Sequence, residues 1–221
     1  MATKAGTEKP LRRDAEENRQ RLLAAAREVF AEQGLEATMD DVAERAGVGV
    51  GTAYRRFANK EELIDALFGE RIGELAVIME RANAAEDPWQ GIVTYLEETV
   101  ALSAGDKGLR EVMLSSPHGH DFVDAARERL EPQIETLLAR AHGAGVLRPG
   151  IESTDLVMIV LMLAQISDYG HDRDDPPWRR FLTLALDGIR PTSAGALPGQ
   201  ALSPEEQADL LQGAAVTRRG R

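Results

Sequence analysis

Apolar residues recur every three or four positions from Leu22 to Ile189, and no stretch alternates apolar with polar in the manner of a half-buried strand. A chain patterned this way buries its apolar stripes only by packing helix on helix, so the fold class it predicts is all-α. The first stripe is Leu22, Ala26, Val29 and Phe30, and Gly34 stands where a left-handed stop is expected. Thr38, with Asp41 three positions on, makes a capping-box-like start for a short helix to Ala46, which Gly47 breaks. A third short helix is expected from Val50 to about Phe57. Asn59, with Glu62 at the third helical position, opens a fourth.

The pattern stays helical beyond Leu63. Pro88 opens a helix containing Ile92, Tyr95, Leu96 and Val100 that ends near Gly105. A short helix over Gly108–Leu114 and a turn-rich break over Ser115–Gly119 follow. A long helix then carries Val123, Ala126, Leu130, Ile134, Leu137, Leu138 and Ala141, with Pro132 as a kink site. The segment Leu156–Ile166, capped by Ser153 or Thr154, is apolar on every face and must be covered on both sides. The last core helix has the stripe Trp178, Phe181, Leu182, Ala185 and Ile189. One chain of this size has trouble covering both helices, which points to a second copy. Leu156, Ile159, Val160, Leu163, Phe181, Leu184 and Ala185 are the candidate contacts of that dimer. From Pro191 the chain is rich in Pro, Gly, Ser and Ala and is expected to be a mobile tail, in which Ser203-Pro204-Glu205-Glu206 can start a short helix to about Gln212.

Charge and composition limit the function classes. The 221 residues contain no cysteine, which excludes disulfides, thiol catalysis and thiolate-bound zinc and fits a reducing compartment. Residues 1–21 are too polar for a secretory signal or membrane anchor, and the longest apolar run, Leu156–Ala164, falls far short of the roughly 20 residues that span a bilayer. A cytoplasmic protein without membrane contact is expected. The net charge of −11 looks unsuited to a phosphate-binding surface, but it is unevenly spread. Residues 1–60 carry 11 basic and 10 acidic side chains, against 15 and 27 in the remainder. The acidic excess therefore lies in the larger C-terminal part, and local charge governs contact with DNA.

Three short helices with a glycine-centred turn between the second and third have the layout of a helix-turn-helix, whose last helix enters the major groove. Gly49 and Gly51 at the start of that helix let the backbone approach a phosphate or base edge. Thr52, Tyr54 and Arg55 offer hydroxyls and a guanidinium, while Ala53 and Phe57 turn inward with Val42, Ala46 and Val48. In order, Phe30, Gly34, Thr38, Asp41, Val42, Ala43, Ala46, Gly47 and Val48, then Gly51, Thr52, Tyr54, Phe57, Lys60 and Leu63, form an ungapped string over residues 15–65. This string closely resembles the TetR family of bacterial regulators. The C-terminal half resembles the family in being helical, with Leu137-Leu138-Ala139-Arg140-Ala141 and Asp187-Gly188-Ile189-Arg190 similar to actinobacterial members.

The resemblance implies an architecture of about nine helices, with an N-terminal DNA-binding domain and a larger ligand-binding and dimerisation domain. Its expected divisions are a flexible basic arm (1–13), a DNA-binding domain (14–75, helix-turn-helix 38–57), a ligand-binding and dimerisation domain (76–190) and a tail (191–221). It implies a dimeric repressor, held on a palindromic double-stranded operator and released by a small-molecule inducer of unknown identity, with no cofactor. Thr38 and Lys60 would meet phosphates, Tyr54 the DNA backbone, and Thr52 and Arg55 phosphates or base edges, Arg55 being the reader of guanine. Gly49 would allow close approach, and Val50, where the family often has Lys or Arg, would make an apolar contact. Arg12 and Arg13 would follow the minor groove or add charge.

Each residue also has a plainer reading. Thr38 and Asn59 are caps in any case, Tyr54 can be half-buried core, and Arg56 is read as solvated surface. His118, His120 and His171 are ligand types for a metal, yet the first two fall beside Pro117 where polar residues are expected anyway, and no metal site is assigned. No Ser/His/Asp or glycine-rich phosphate pattern stands out, so catalysis is not expected. Tyr95, Met113, Phe122, Met158, Met162 and Tyr169 are candidates to line a ligand cavity, or else they pack the core. The rival functions are a helical small-molecule carrier with a vestigial helix-turn-helix, a metal sensor, and an enzyme.

Overall fold

In a computed structural model the described residues are 8–104, 106, 118–167, 175–193, 195–207 and 210. Among them are eight α-helices, a further helical stretch at 204–207 and no strand. Helix α1 (Glu8–Gln33) starts earlier than expected: residues 8–13, assigned above to a flexible arm, are helical. Pro10 lies in the first turn, where its missing N–H has no intrahelical partner to lose. The chain then turns through Gly34 (φ 61°), which opens a short 3-10 turn to Glu36.

Helix α2 (Met39–Ala46) is started by both halves of a capping box. The Asp41 N–H donates to Thr38 Oγ1 (3.2 Å), and the Asp41 carboxylate accepts the Thr38 N–H (2.8 Å). It stops at Gly47 (φ 63°), a conformation that favours glycine, and Arg21 of α1 donates to the last carbonyls, Ala46 O (2.7 Å) and Gly47 O (3.3 Å). Helix α3 (Val50–Arg56) ends one residue before the expected Phe57, which is extended. Helix α4 (Lys60–Ala84) begins as expected: Asn59 Oδ1 accepts the Glu62 N–H (2.8 Å), and the Glu62 carboxylate accepts the Ala58 N–H (2.6 Å).

These helices build two cores that share α4. The first gathers Leu22, Leu23, Val29 and Phe30 of α1 with Val42, Ala53, Phe57 and the start of α4, Leu63 to Phe68. The second gathers Met79 and Ala82 at the far end of α4 with helices α5 (Pro88–Ala104), α6 (His118–Gly143), α7 (Ser153–Ser167) and α8 (Trp178–Ile189). Arg140 of α6 fastens the end of α4 by donating to the carbonyls of Asn83 and Ala85 (2.5 Å to the latter).

Four expectations for this half need correction. His118 and Gly119 belong to α6 and not to a turn, and Pro132 lies within that helix. Neither Ser153 nor Thr154 caps α7. Glu152 does so, its carbonyl accepting from Asp155 N–H (3.1 Å) and Leu156 N–H (3.4 Å) and its N–H donating to the Asp155 carboxylate (3.0 Å).

The third correction concerns the dimer candidates. Leu156, Val160 and Leu163 are buried inside this chain's own second core and offer a second copy almost no surface. The fourth concerns the tail, which is not loose through residue 207. Arg148 donates to Gly195 O (2.5 Å), Thr154 Oγ1 to Leu202 O (2.8 Å) and Arg127 to Pro204 O (2.6 Å), while buried Gln207 donates to Thr154 O (3.2 Å). Residues 204–207 are helical, with Ser203 capping them through the Glu206 N–H (3.2 Å). The proposed short helix from Gly108 to Leu114 lies outside the described residues.

Candidate nucleic-acid interface and cavity

The turn from α2 into α3 has a buried face and an open face. Ala53 and Phe57 point into the first core, whereas Val50 (42 % exposed), Tyr54 (47 % exposed) and Arg55 lie on the open side. Thr52 is half-buried, and its hydroxyl accepts from Arg55 Nη2 at 2.8 Å, which holds the guanidinium along the helix. Gly49 and Gly51 are exposed. A Cβ at either would meet only Thr52 Oγ1 at 4.0 Å or Arg55 Nη1 at 3.9 Å, so nothing inside the protein requires a glycine there. The bare backbone instead suits a surface pressed closely by something outside.

Thr38 is exposed, but its donors are committed: N–H and hydroxyl both point at the Asp41 carboxylate, at 2.8 and 2.6 Å. Those two bonds pull the Asp41 carboxyl below the usual carboxylate range, the hydroxyl contributing most. An anion at this helix start would meet the first-turn amides of Met39 and Asp40, which have no intrahelical acceptor. Lys60 is half-buried with Nζ 5.7 Å from the Phe30 ring centroid. Arg56, expected in solvent, donates to the Ala15 carbonyl of α1. Arg45 pairs with Glu32 (2.6 Å) and Glu28 (3.1 Å), binding α2 to α1.

A cavity of about 210 Å³ opens among α4, α5, α6, α7 and the tail. Its walls are mainly apolar, with Leu75, Met79, Leu130, Ile134 and Val157 among them, and Pro204 and Gln207 of the tail complete it. Of the six residues expected here, Tyr95 lines it, and burial pushes its phenol pKa up, keeping it neutral. Met158 is half-buried and not part of the lining. Met162 is 56 % exposed on the opposite side of α7, so its assignment to a ligand pocket is withdrawn. Phe122 lies on α6, and Met113 and Tyr169 lie outside the described residues, as does His171. Polar members of the lining were missed, Arg71, Thr99, Ser103, Asp106, Arg127 and Glu131 among them. Thr99 left a trace in the sequence, as a polar residue on the apolar stripe of Tyr95, Leu96 and Val100.

The outer faces of α7 and α8 carry a third feature. Met162 is exposed beside half-buried Ile159, while Phe181 (42 % exposed) and Leu184 (57 % exposed) stand out from α8 beside half-buried Ala185. No helix among the described residues is long and apolar enough to cross a membrane.

A capped three-helix head with an outward last helix, joined by one shared helix to a larger helical body with a cavity, defines a helix-turn-helix DNA-binding regulator. Residues 22–67 match the model for bacterial regulatory proteins of the tetR family, and residues 87–191 match the C-terminal domain of SbtR-like transcriptional regulators. The chain belongs to the TetR family of transcriptional regulators. It is 34% identical over 140 residues to the HTH-type transcriptional regulator SrpR of Pseudomonas putida, a match covering 61% of this chain and 65% of that one. With TtgW, another HTH-type regulator of Pseudomonas putida, it shares 33% identity over 102 residues, covering 46% of this chain and 75% of the relative. The chain thus spans slightly less than two thirds of SrpR. A TetR regulatory protein from Mycobacterium vanbaalenii superimposes with a TM-score of 0.58 at 29% identity, over 82% of this chain and 99% of that one. These relatives are regulators of transcription and not enzymes.

Proposed function

We propose that this protein is a cytoplasmic homodimeric repressor that binds a palindromic operator and is released by a small molecule entering the cavity. The observation that carries this reading is the outward face of α3, where Val50, Tyr54 and Arg55 stand exposed on a helix whose opposite side is locked by Ala53 and Phe57. Tyr54 and Lys60 contact phosphates, Thr38 marks a phosphate site at the start of α2, and Thr52 and Arg55 probe phosphates or base edges. Gly49 permits close approach of the backbone, and Val50 meets an apolar base edge such as a thymine methyl.

Residues 14–75 act as the DNA-binding unit and 76–190 as the unit for ligand and partner. The second copy packs on Ile159, Met162, Phe181, Leu184 and Ala185, placing two heads on successive major grooves about 34 Å apart. Inducer binding favours a head spacing that no longer fits both half-sites, which requires tighter binding to the DNA-free state.

The test is selection of bound sites from random DNA, followed by mobility shifts at defined salt. A palindromic consensus is expected. Tyr54→Ala and Arg55→Ala are each expected to weaken operator binding by about 1–3 kcal/mol, with Arg55→Ala also relaxing the sequence preference. Absence of any specific complex at low ionic strength, or full affinity in both folded variants, removes the assignment.

A further inference from the structure

The cavity is lined by two buried donors that make no hydrogen bond among the described residues. Thr99 is 5% exposed, and its hydroxyl has no hydrogen-bond partner among the described residues. Arg71 is 6% exposed. Its Nη2 donates to Asp106 at 2.8 Å, but its Nη1 makes no hydrogen bond among the described residues, with the Glu74 carboxylate 3.6 Å away. Both side chains line the same cavity, whose remaining wall is mainly apolar. Buried polar groups are ordinarily paired, and an unpaired donor facing an open space is a place for an acceptor. Burial, with the Arg27 cation nearby, holds the Arg71 pKa below its ordinary value despite the Asp106 and Glu74 carboxylates beside it.

We propose that the cavity takes a compact acidic amphiphile, an apolar body with a single carboxylate, whose head is held by Arg71 Nη1 and Thr99 Oγ1. The proposal rests on the reading of this cavity as the inducer site. An amine would meet the guanidinium as a like charge, and a neutral alcohol would give Arg71 Nη1 only an uncharged acceptor, whose bond is about half as strong as a charge-assisted one. The volume, about 210 Å³, lies below the roughly 300–1,000 Å³ of sites for drug-sized ligands, so the body is small.

The head site also reaches the DNA-binding part. Asp106 Oδ2, which holds Arg71, lies 3.3 Å from Nε of Arg27 on α1, and Arg27 Nη2 lies 3.5 Å from Glu70 and 3.6 Å from Glu74 on α4. A ligand carboxylate at Arg71 Nη1 competes with Glu74, whose carboxylate also lies beside Arg27, and shifts Glu74 toward Arg27. Ligand arrival is thereby registered at the contact between α1 and α4.

The experiment is calorimetry on the full chain with octanoate, decanoate and 2-naphthoate, each compared with the alcohol and primary amine of the same skeleton. At least one carboxylate is expected to bind about tenfold more tightly than both counterparts. Thr99→Val is expected to remove most of that preference while leaving the thermal midpoint of the ligand-free protein unchanged or raised, since the hydroxyl it deletes is unpaired. Arg71→Lys is expected to weaken carboxylate binding further. A merely structural Thr99 would lower the midpoint and leave the preference intact. The proposal is overturned if no carboxylate binds, if an alcohol or amine matches it, or if Thr99→Val binds like the parent. Operator binding without ligand is measured separately, so failure here leaves the DNA-binding reading standing, and loss of that reading leaves the calorimetry interpretable.

Discussion

Thr38 and Asp41 place a pH-sensitive device at the start of the helix-turn-helix. The Thr38 hydroxyl and N–H both donate to the Asp41 carboxylate, and these two bonds are strongest when it is ionised, whereas the Asp41 N–H that the hydroxyl accepts does not depend on that charge. Because its folded pKa lies below the ordinary value, Asp41 contributes stability that is present above about pH 3.9, the unfolded value, and lost as pH falls through the lower folded value. Thermal midpoints of the parent and Asp41→Asn are therefore expected to differ at neutral pH and to converge in acid. A constant offset down to the lowest pH would show that the charge is irrelevant. Thr38→Ala removes the cap itself and is expected to lower stability by about 0.5–2 kcal/mol in chemical denaturation. This part of the chain was legible in the sequence because its determinants are local: Thr38 and Asp41, Gly47, and Asn59 with Glu62 each act within one helical turn. The Arg56 bond to Ala15 was not legible, since nothing near Arg56 in sequence marks its partner on α1.

The contrast sharpens at the scale of elements. Helix α7 was identifiable as a buried helix, but a helix apolar on every side has no polar stripe to fix its rotation. Leu156, Val160 and Leu163 turn into the core and Met162 turns out, and only the packing of α5 and α8 settles that phase. The tail misled for a related reason. Its Pro, Gly and Ser content is that of a linker, yet residues 195–207 are held by Arg127, Arg148 and Thr154 through backbone carbonyls, which any sequence possesses. Helix α5 offers a test of how tightly these elements meet. A Cβ on Gly91 would lie 2.6 Å from the Ala82 carbonyl oxygen and 2.9 Å from Leu137 Cδ1. Alanine gains up to about 1 kcal/mol in helix propensity, but overpacking against a backbone atom costs about 1–3 kcal/mol. Gly91→Ala is expected to be net destabilising, and a higher denaturation midpoint would mean that α4 and α5 separate more easily than their packing implies.

For the whole molecule, α4 is the only helix with buried residues in both cores among the described residues, so a tilt imposed at the cavity end is carried to the head. That lever acts on DNA binding only if the two bodies of a dimer are fixed against each other, which makes the outer face of α7 and α8 decisive. Phe181 and Leu184 are more exposed than large apolar side chains within a single chain's core, and so is Met162 on the neighbouring helix α7. Exposed apolar patches of this kind mark association sites. In a two-fold dimer each residue of such a patch occurs twice in the interface, so one substitution acts at two places. Leu184→Asp buries two carboxylates in the paired state and none in the separated one. Sedimentation is expected to show dimers for the parent and monomers for Leu184→Asp and Phe181→Asp. The unfolding of each separated chain should still be cooperative, because neither residue belongs to the buried core. Operator affinity should fall with dimer content, and it should recover at protein concentrations that restore the dimer, as mass action requires. Dimers that persist in both variants would place the partner surface elsewhere and leave this patch without that role.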